Sequence, residues 1–242
     1  MSVRVARSSV HRQVRVAHER WREAWVKGPE RLRWSQLPVQ VGDRAPEARL
    51  ADSAGHSTTL SAFWTERPIL FVFLRHFGCN CTGRRIARLT EDAATLSELQ
   101  AGIVLIGQGE PARARAFSEE RGIAQPLLCD PQREVYHAYG LLDGMKAQIV
   151  YGAPSLLVAD PRPGLEMADT MKGEGRWLVD SPWQLGGEVL VDRAGVIRLV
   201  NRYRHCDDFS NPVVIAATLA EMAAEDAQQA RQLAPTLSPL SA

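Results

Sequence analysis

Apolar positions along the chain follow two periods. Ile69–Leu74 and Ile103–Ile106 are continuous apolar runs containing β-branched side chains, and they predict inner strands covered on both faces. Between them Ile86, Leu89, Ala93, Leu96 and Leu99 recur at helical spacing, with Gly102 as the expected stop. Pro111 opens another helix that runs to Arg121, and Gly122 closes it. Leu127–Cys129 predicts a short strand, Asp130-Pro131 a turn, and Val135, Tyr136 and Tyr139 a helix ending at Gly140. Upstream, Arg49–Asp52 predicts a strand, Ser53–His56 a turn and Leu60–Trp64 a helical turn. Downstream, Glu188–Val191 and Ile197–Asn201 predict an antiparallel hairpin across the four-residue connection Asp192–Gly195. Ile215, Leu219 and Met222 stripe a last helix begun at Asn211-Pro212. Strands alternating with helices imply parallel crossovers, with helices on the faces of a sheet.

Three stretches stand apart from this rhythm. Residues 1–36 predict a basic amphipathic helix on which Val3, Val10, Val14, Ala17, Trp21 and Trp25 share a face, stopped by Gly28-Pro29. Its two tryptophans are expected to bury themselves against the domain or against a second subunit, which would make a homodimer. Residues 141–183 form an excursion with a strand expected at Ser155–Ala159 and a Gly- and Trp-containing path to Pro182-Trp183. Residues 37–232 then make one domain, and the segment 233–242 is expected to be a loose tail.

Composition narrows the function classes. A formal net charge of +1 over 242 residues argues against a general nucleic-acid role, and the local excess of nine Arg or Lys over three Glu in residues 1–35 comes without a recognition motif. No run has the length of a membrane span, and the N-terminus lacks the apolar core of a secretory signal. Four cysteines, at 79, 81, 129 and 206, do not make a disulfide scaffold, so reduced thiols in the cytoplasm are expected. Gly107-Gln-Gly109 lacks the remaining glycine of a dinucleotide fingerprint, and no tightly bound cofactor or metal is expected.

The chemistry concentrates where the apolar strand hands over to its helix. Cys79 ends the strand segment and precedes the helix, where amides and nearby cations stabilise a thiolate. Arg75, Arg84 and Arg85 are placed to lower its pKa, depending on their direction and distance. His76 is able to activate a thiol or relay a proton, although strand alternation also allows it to face away. Cys81 is the nearest resolving thiol, and a one-residue gap would restrict and strain the disulfide. Cys206, in Arg204-His-Cys-Asp207 after the hairpin, competes for that role, while Cys129 reads as a core residue. Cys79, Cys81 and His76, with Cys206 or His205, are also a donor set for zinc or copper, but one Cys-x-Cys lacks the second pair of a structural zinc motif. Gln184 is expected to point its amide into the pocket, Gly186 and Gly187 to permit close backbone approach, and Trp177 and Trp183 to line an apolar wall or pack the excursion.

Phe71–Cys79, Val104–Gly107, Cys129-Asp-Pro131 through Tyr136–Gly140, and Gln184-Leu-Gly-Gly187 before the hairpin together resemble the AhpC/TSA-like branch of peroxiredoxin-like proteins, over roughly residues 37–225. The resemblance implies a thioredoxin-like α/β fold, a central mixed sheet flanked by helices, here with an N-terminal helical extension. It also implies a thiol-based oxidoreductase acting on a peroxide or a disulfide, restored by an external thiol or a thioredoxin-like partner. A bulky organic substrate, or a redox-sensing role without turnover, are its alternatives. The letters depart from the relatives at the site. His76 stands where established peroxiredoxins have Thr or Ser, and Thr82 where the Cys-x-x-Cys relatives have their second cysteine.

Overall fold

The computed structural model describes residues 2–149 and 181–233, with side chains left undescribed at 2–11, 92–95 and 97. Trp177 and the strand expected at 155–159 therefore lie outside the described residues, as do 234–242 of the tail. The elements are α1 (Ser2–Lys27), β1 (Arg49–Asp52), β2 (Ser57–Thr59), α2 (Ser61–Trp64), β3 (Ile69–Phe73), α3 (Asn80–Glu98) and β4 (Gly102–Gly107). They continue with α4 (Pro111–Arg121), β5 (Leu127–Cys129), α5 (Glu134–Ala138), α6 (Lys146–Ile149), β6 (Gly187–Val191), β7 (Ile197–Arg202) and α7 (Pro212–Leu233).

One mixed seven-stranded sheet runs in the order β2-β1-β5-β4-β3-β6-β7. β3, β4 and β5 are parallel neighbours, and β6 pairs antiparallel with both β3 and β7. The period of two in β3 sorts its side chains between two cores. Leu70 and Val72 join α3, α4 and α7 through Leu89, Phe117 and Ile215. Ile69, Phe71 and Phe73 join Val135, Tyr136, Tyr139 and Val189 on the opposite face. Both faces of the strand are dry, as its unbroken apolar run demands. Asp130 starts α5 by accepting from the amides of Glu134, Val135 and Tyr136 at 3.1, 2.8 and 3.2 Å.

Three local expectations need correction. Gly102 does not end α3; the helix stops at Glu98, Gln100 turns left-handed (φ 57°), and Gly102 is already the first residue of β4. The hairpin connection has one residue more than expected, because a register shift after Leu190 pairs Val191 with Ile197 and leaves Val196 in the turn. β2 and α6 are elements that their short, polar sequences do not announce.

The N-terminal helix packs on its own domain. Trp21 and Trp25 are each 1% exposed and stack on one another with ring centroids 5.2 Å apart, and Trp25 stacks in turn on Trp183 at 4.6 Å. The Arg113 guanidinium on α4 donates to the Gln13 carbonyl at 3.2 Å. Ala17, Trp21 and Trp25 of its apolar face are thus covered from within the chain.

Candidate active site

β3 ends at Phe73, and the chain turns through Arg75–Cys79 before α3 begins at Asn80. The turn is closed locally. The Cys79 amide donates to the His76 carbonyl at 3.0 Å, and the Thr82 hydroxyl donates to the same carbonyl at 3.1 Å. The Cys79 carbonyl accepts from the Thr82 amide at 3.1 Å, opening the helix. Cys79 therefore occupies the N-terminal boundary of a 19-residue helix, where the helix dipole favours negative charge. Thr82 is a structural brace for this turn.

The sulfurs of Cys79, Cys81 and Cys206 all lie within 4.8 Å of one another. All four cysteines are free thiols; Cys79 is half-buried and the other three are buried. Arg75 joins the cluster: its Nη1 donates to Cys79 Sγ at 3.1 Å and to Cys206 Sγ at 2.9 Å. Its Nε donates to the Gln184 carbonyl at 3.2 Å and its Nη2 to the Pro182 carbonyl. This guanidinium is 3% exposed, and among the described residues its hydrogen-bond partners are two carbonyls and two sulfurs, with no carboxylate among them. A buried cation in such a setting requires an anion close by, and a thiolate is what the site offers.

The acidities follow from this arrangement. Hydrogen bonds from the Cys206 and Cys81 thiols hold Cys79 well below the ordinary thiol range, with Arg75 adding attraction and burial opposing. The same pairing pushes Cys81 far up, Cys206 first and Cys79 second, with burial adding to it. Cys206 is raised to about 11, chiefly by its hydrogen bond to Cys79, with burial adding and Cys81 and Arg75 opposing. Of the three sulfurs, Cys79 is the one whose contacts favour the thiolate. The Cys206 thiol also has the Ile149 carbonyl in reach at 3.1 Å, so its single proton has two acceptors. His76 is buried and its pKa falls to about 4, mainly through desolvation, so the imidazole is neutral at pH 7 and adds no cationic charge. Its ring meets the edge of Trp21 at 6.3 Å.

Arg84 and Arg85 serve other partners than the one expected. Arg84 pairs with Asp207 at 2.6 Å, which clamps the Cys206 turn onto α3. Arg85 pairs with Glu188 inside β6 at 2.6 Å, both side chains fully buried, and Glu188 also accepts from the Tyr203 hydroxyl and the Ser210 amide. Gln184 contributes its carbonyl to Arg75, while its amide donates to the carbonyls of Leu142 and Leu185 at 3.1 and 3.0 Å instead of entering a pocket. Gly186 and Gly187 are close-approach positions, not a plain turn. A Cβ on them would stand 2.4 Å from the Phe73 carbonyl oxygen and 2.5 Å from a Leu141 methyl. Trp183 is spent on packing: it stacks on Trp25 and donates to the Ala24 carbonyl at 2.5 Å. Cys129 stays in the core, its thiol raised to about 12 by burial first and by Asp52 and Glu110 next.

The three sulfurs also form a donor set that a soft cation would use. Arg75 already directs a fixed positive charge at two of them, an arrangement that fits a thiolate better than a bound metal ion. Sequence reasoning missed two features of the site, the Glu188 anchor of Arg85 and the contact of α1 with its rim. The first had a weak signal, a lone acidic residue in an apolar strand.

Residues 88–205 match the family described as AhpC/TSA antioxidant enzyme. This span starts after Cys79 and Cys81 and ends one residue before Cys206, so the cluster itself lies outside it. The chain is 26% identical over 154 residues to a chloroplastic thioredoxin-like protein of Arabidopsis thaliana, covering 61% of this chain and 59% of that protein. It is 26% identical over 163 residues to peroxiredoxin-like 2C of Mus musculus, covering 66% and 71%. Among solved structures, peroxidoxin BcpB of Mycobacterium tuberculosis superposes with a TM-score of 0.54 at 18% identity, covering 76% of this chain and 98% of that one. No helix among the described residues is long and apolar enough to cross a membrane. The strand order, the crossover helices and the superposition show a thioredoxin fold, and the chain is similar to peroxiredoxin-like proteins, here with a Cys79-x-Cys81 pair at the strand-to-helix junction.

Proposed function

We propose that the protein is a thiol oxidoreductase that reduces a peroxide, with Cys79 as nucleophile and Cys206 as the first resolving thiol. The observation that carries this reading is Arg75, a buried cation whose acidic neighbours are sulfurs and whose Nη1 touches both Cys79 and Cys206. Cys79 is also the most exposed residue of the three in the cluster.

In the reaction, the Cys79 thiolate attacks the terminal oxygen of a hydroperoxide and the O–O bond breaks. The alkoxide or hydroxide that leaves takes up a proton, and Cys79 becomes a sulfenic acid. The Cys206 sulfur then attacks the Cys79 sulfur, water departs, and a disulfide forms. Two thiols from an external donor, small or thioredoxin-like, reduce it and leave as their own disulfide. A disulfide substrate would enter the same cycle at the sulfur-exchange step. No bound cofactor is needed, and the cycle requires a reducing compartment such as the cytoplasm.

Cys206 is favoured over Cys81 for resolution on geometric grounds. Cys79 and Cys81 are separated by one residue at the start of α3, so a bond between them restricts its dihedral and strains the first turn, although their sulfurs lie close. Cys206 lies on a turn and needs only that turn to move. Cys81 is then the thiol to which the disulfide can pass by exchange. The bulky-substrate alternative loses one of its supports, because Trp183 is engaged with Trp25.

Peptide mapping after one equivalent of hydrogen peroxide tests the scheme. A Cys79–Cys206 link is expected. A Cys79–Cys81 link with Cys206 still free would reassign the resolver, and continued turnover by Cys79→Ser would reject the reading. Comparing hydrogen peroxide with a bulky organic hydroperoxide then sorts the substrate class.

A further inference from the structure

The segment that orients Arg75 is itself gripped by the N-terminal helix. Residues 181–186 belong to no helix or strand, yet Pro182 and Gln184 supply the carbonyls that hold Arg75 Nη2 and Nε. Between them sits Trp183. One side of the segment is tied to residues 142–144, with the Gly144 amide donating to the Trp183 carbonyl at 2.8 Å and the Leu185 amide to the Leu142 carbonyl at 3.0 Å. On the other side is α1. The Trp183 ring stacks on Trp25 at 4.6 Å with planes 10° apart, and its indole N–H donates to the Ala24 carbonyl.

A guanidinium is a rigid planar fork. With Nε and Nη2 tied to two carbonyls its plane is set, and the remaining Nη1 is aimed at Cys79 and Cys206. Any shift of the 182–184 backbone rotates that fork and withdraws Nη1 from the sulfurs. Trp21 adds a second contact to the same loop through its edge-on approach to His76, the residue next to Arg75.

We propose that Trp25 and Trp183 are positioning residues for Arg75, so that the N-terminal helix sets the reactivity of the Cys79 sulfur. Packing alone explains why two tryptophans are buried. It does not require them to brace the one irregular segment whose carbonyls fix the active-site cation. The inference rests on Cys79 being the reactive sulfur, but not on the identity of the oxidant.

The test is peptide-resolved alkylation of the reduced full-length protein by iodoacetamide across a pH series, with Cys129 as the buried control. In Trp25→Leu the midpoint of the Cys79 profile is expected to rise by about one pH unit, a tenfold loss of acidity. Trp25→Phe, which keeps a ring against Trp183, is expected to restore most of the shift. In an Arg75→Lys background, Trp25→Leu is expected to add nothing, because its effect runs through the guanidinium. A folded Trp25→Leu protein with an unmoved Cys79 midpoint overturns the proposal, as does an equal further shift in the Arg75→Lys background. Should Trp25→Leu fail to fold, Trp183→Phe decides. It removes the indole N–H bond to Ala24 and shrinks the ring stacked on Trp25, and the Cys79 midpoint is expected to rise there too, while an unchanged midpoint overturns the proposal. Iodoacetamide reads the sulfur whatever it oxidises, so a failed peroxide assay would sink the proposed reaction and leave this result standing.

Discussion

Arg75 Nη1 donates to the sulfur of Cys206 at 2.9 Å, across 131 positions of sequence, and the same nitrogen reaches Cys79. One guanidinium nitrogen thus holds together the two thiols that the proposed cycle oxidises. Removing that charge while keeping bulk, as in Arg75→Met, takes a charge-assisted hydrogen bond from the thiolate. Such bonds contribute about 1.5–3 kcal/mol, so alkylation of Cys79 near neutral pH is expected to slow by about tenfold or more. An unchanged rate, measured by peptide mapping, would mean that Arg75 does not stabilise the thiolate.

The three thiols differ in what a hydroxyl can replace. Cys206→Ser retains a donor toward Cys79 but removes the resolving sulfur. It is expected to keep the fast first oxidation of Cys79 and to lose repeated turnover. Cys206→Ala removes the donor as well, so its Cys79 alkylation profile should also move to higher pH. Stopped-flow oxidation paired with steady-state peroxide consumption separates the two effects.

The pH dependence of stability has a definite sign. An unperturbed thiol ionises near 8.5, and Cys79 in the folded protein ionises well below its ordinary range, through the Cys206 and Cys81 thiols and then Arg75. A depressed pKa stabilises the fold fully above the unfolded value, and that contribution is lost as pH falls through the folded value. Cys81 and Cys206, both raised, stay protonated in the folded chain from neutral to mildly alkaline pH. The stability advantage over Cys79→Ser is therefore expected to shrink as pH is lowered from about 8 toward acid. Urea denaturation of both proteins at several pH values measures it, and a gap that widens on acidification would contradict the assignment.

Glu188 pairs with Arg85 inside the sheet, at 2.6 Å and with both side chains out of water. Glu188→Gln removes the negative charge that this carboxylate sets against the guanidinium. Breaking a buried pair on one side costs about 3–5 kcal/mol, and chemical denaturation should register a loss of that order. A loss within experimental error would show that water or another acid compensates.

Gly186 lies where β6 comes up beside the end of β3. Its replacement by alanine would place a Cβ 2.4 Å from the Phe73 carbonyl oxygen, a backbone atom that has little room to yield. Gly186→Ala is expected to destabilise the fold by about 1–3 kcal/mol, as overpacking does, and to blunt Cys79 reactivity because Arg75 follows two residues after Phe73. A variant as stable and as reactive as the parent would refute the close approach.

Local patterning carried most of the architecture. The apolar runs at 69–74 and 103–106, the Pro111 start and Gly122 stop of α4, and the stripe Ile215, Leu219 and Met222 all became the elements they announce. Periodicity and capping are properties of neighbouring residues, so they survive without knowledge of the fold. Cys79 at a strand-to-helix junction was legible for the same reason. Which polar group meets which was not. Arg75, Arg84 and Arg85 are indistinguishable as letters, yet one faces sulfur, one Asp207 and one Glu188, because each guanidinium settles on whichever anion the folded chain delivers to it. Cys206 enters the cluster only when the last strand lies beside β6, and Trp25 reaches the active-site rim only when α1 docks. Contacts between residues more than a hundred positions apart leave no periodic trace in the chain, and burial without water is what makes their pairing decisive.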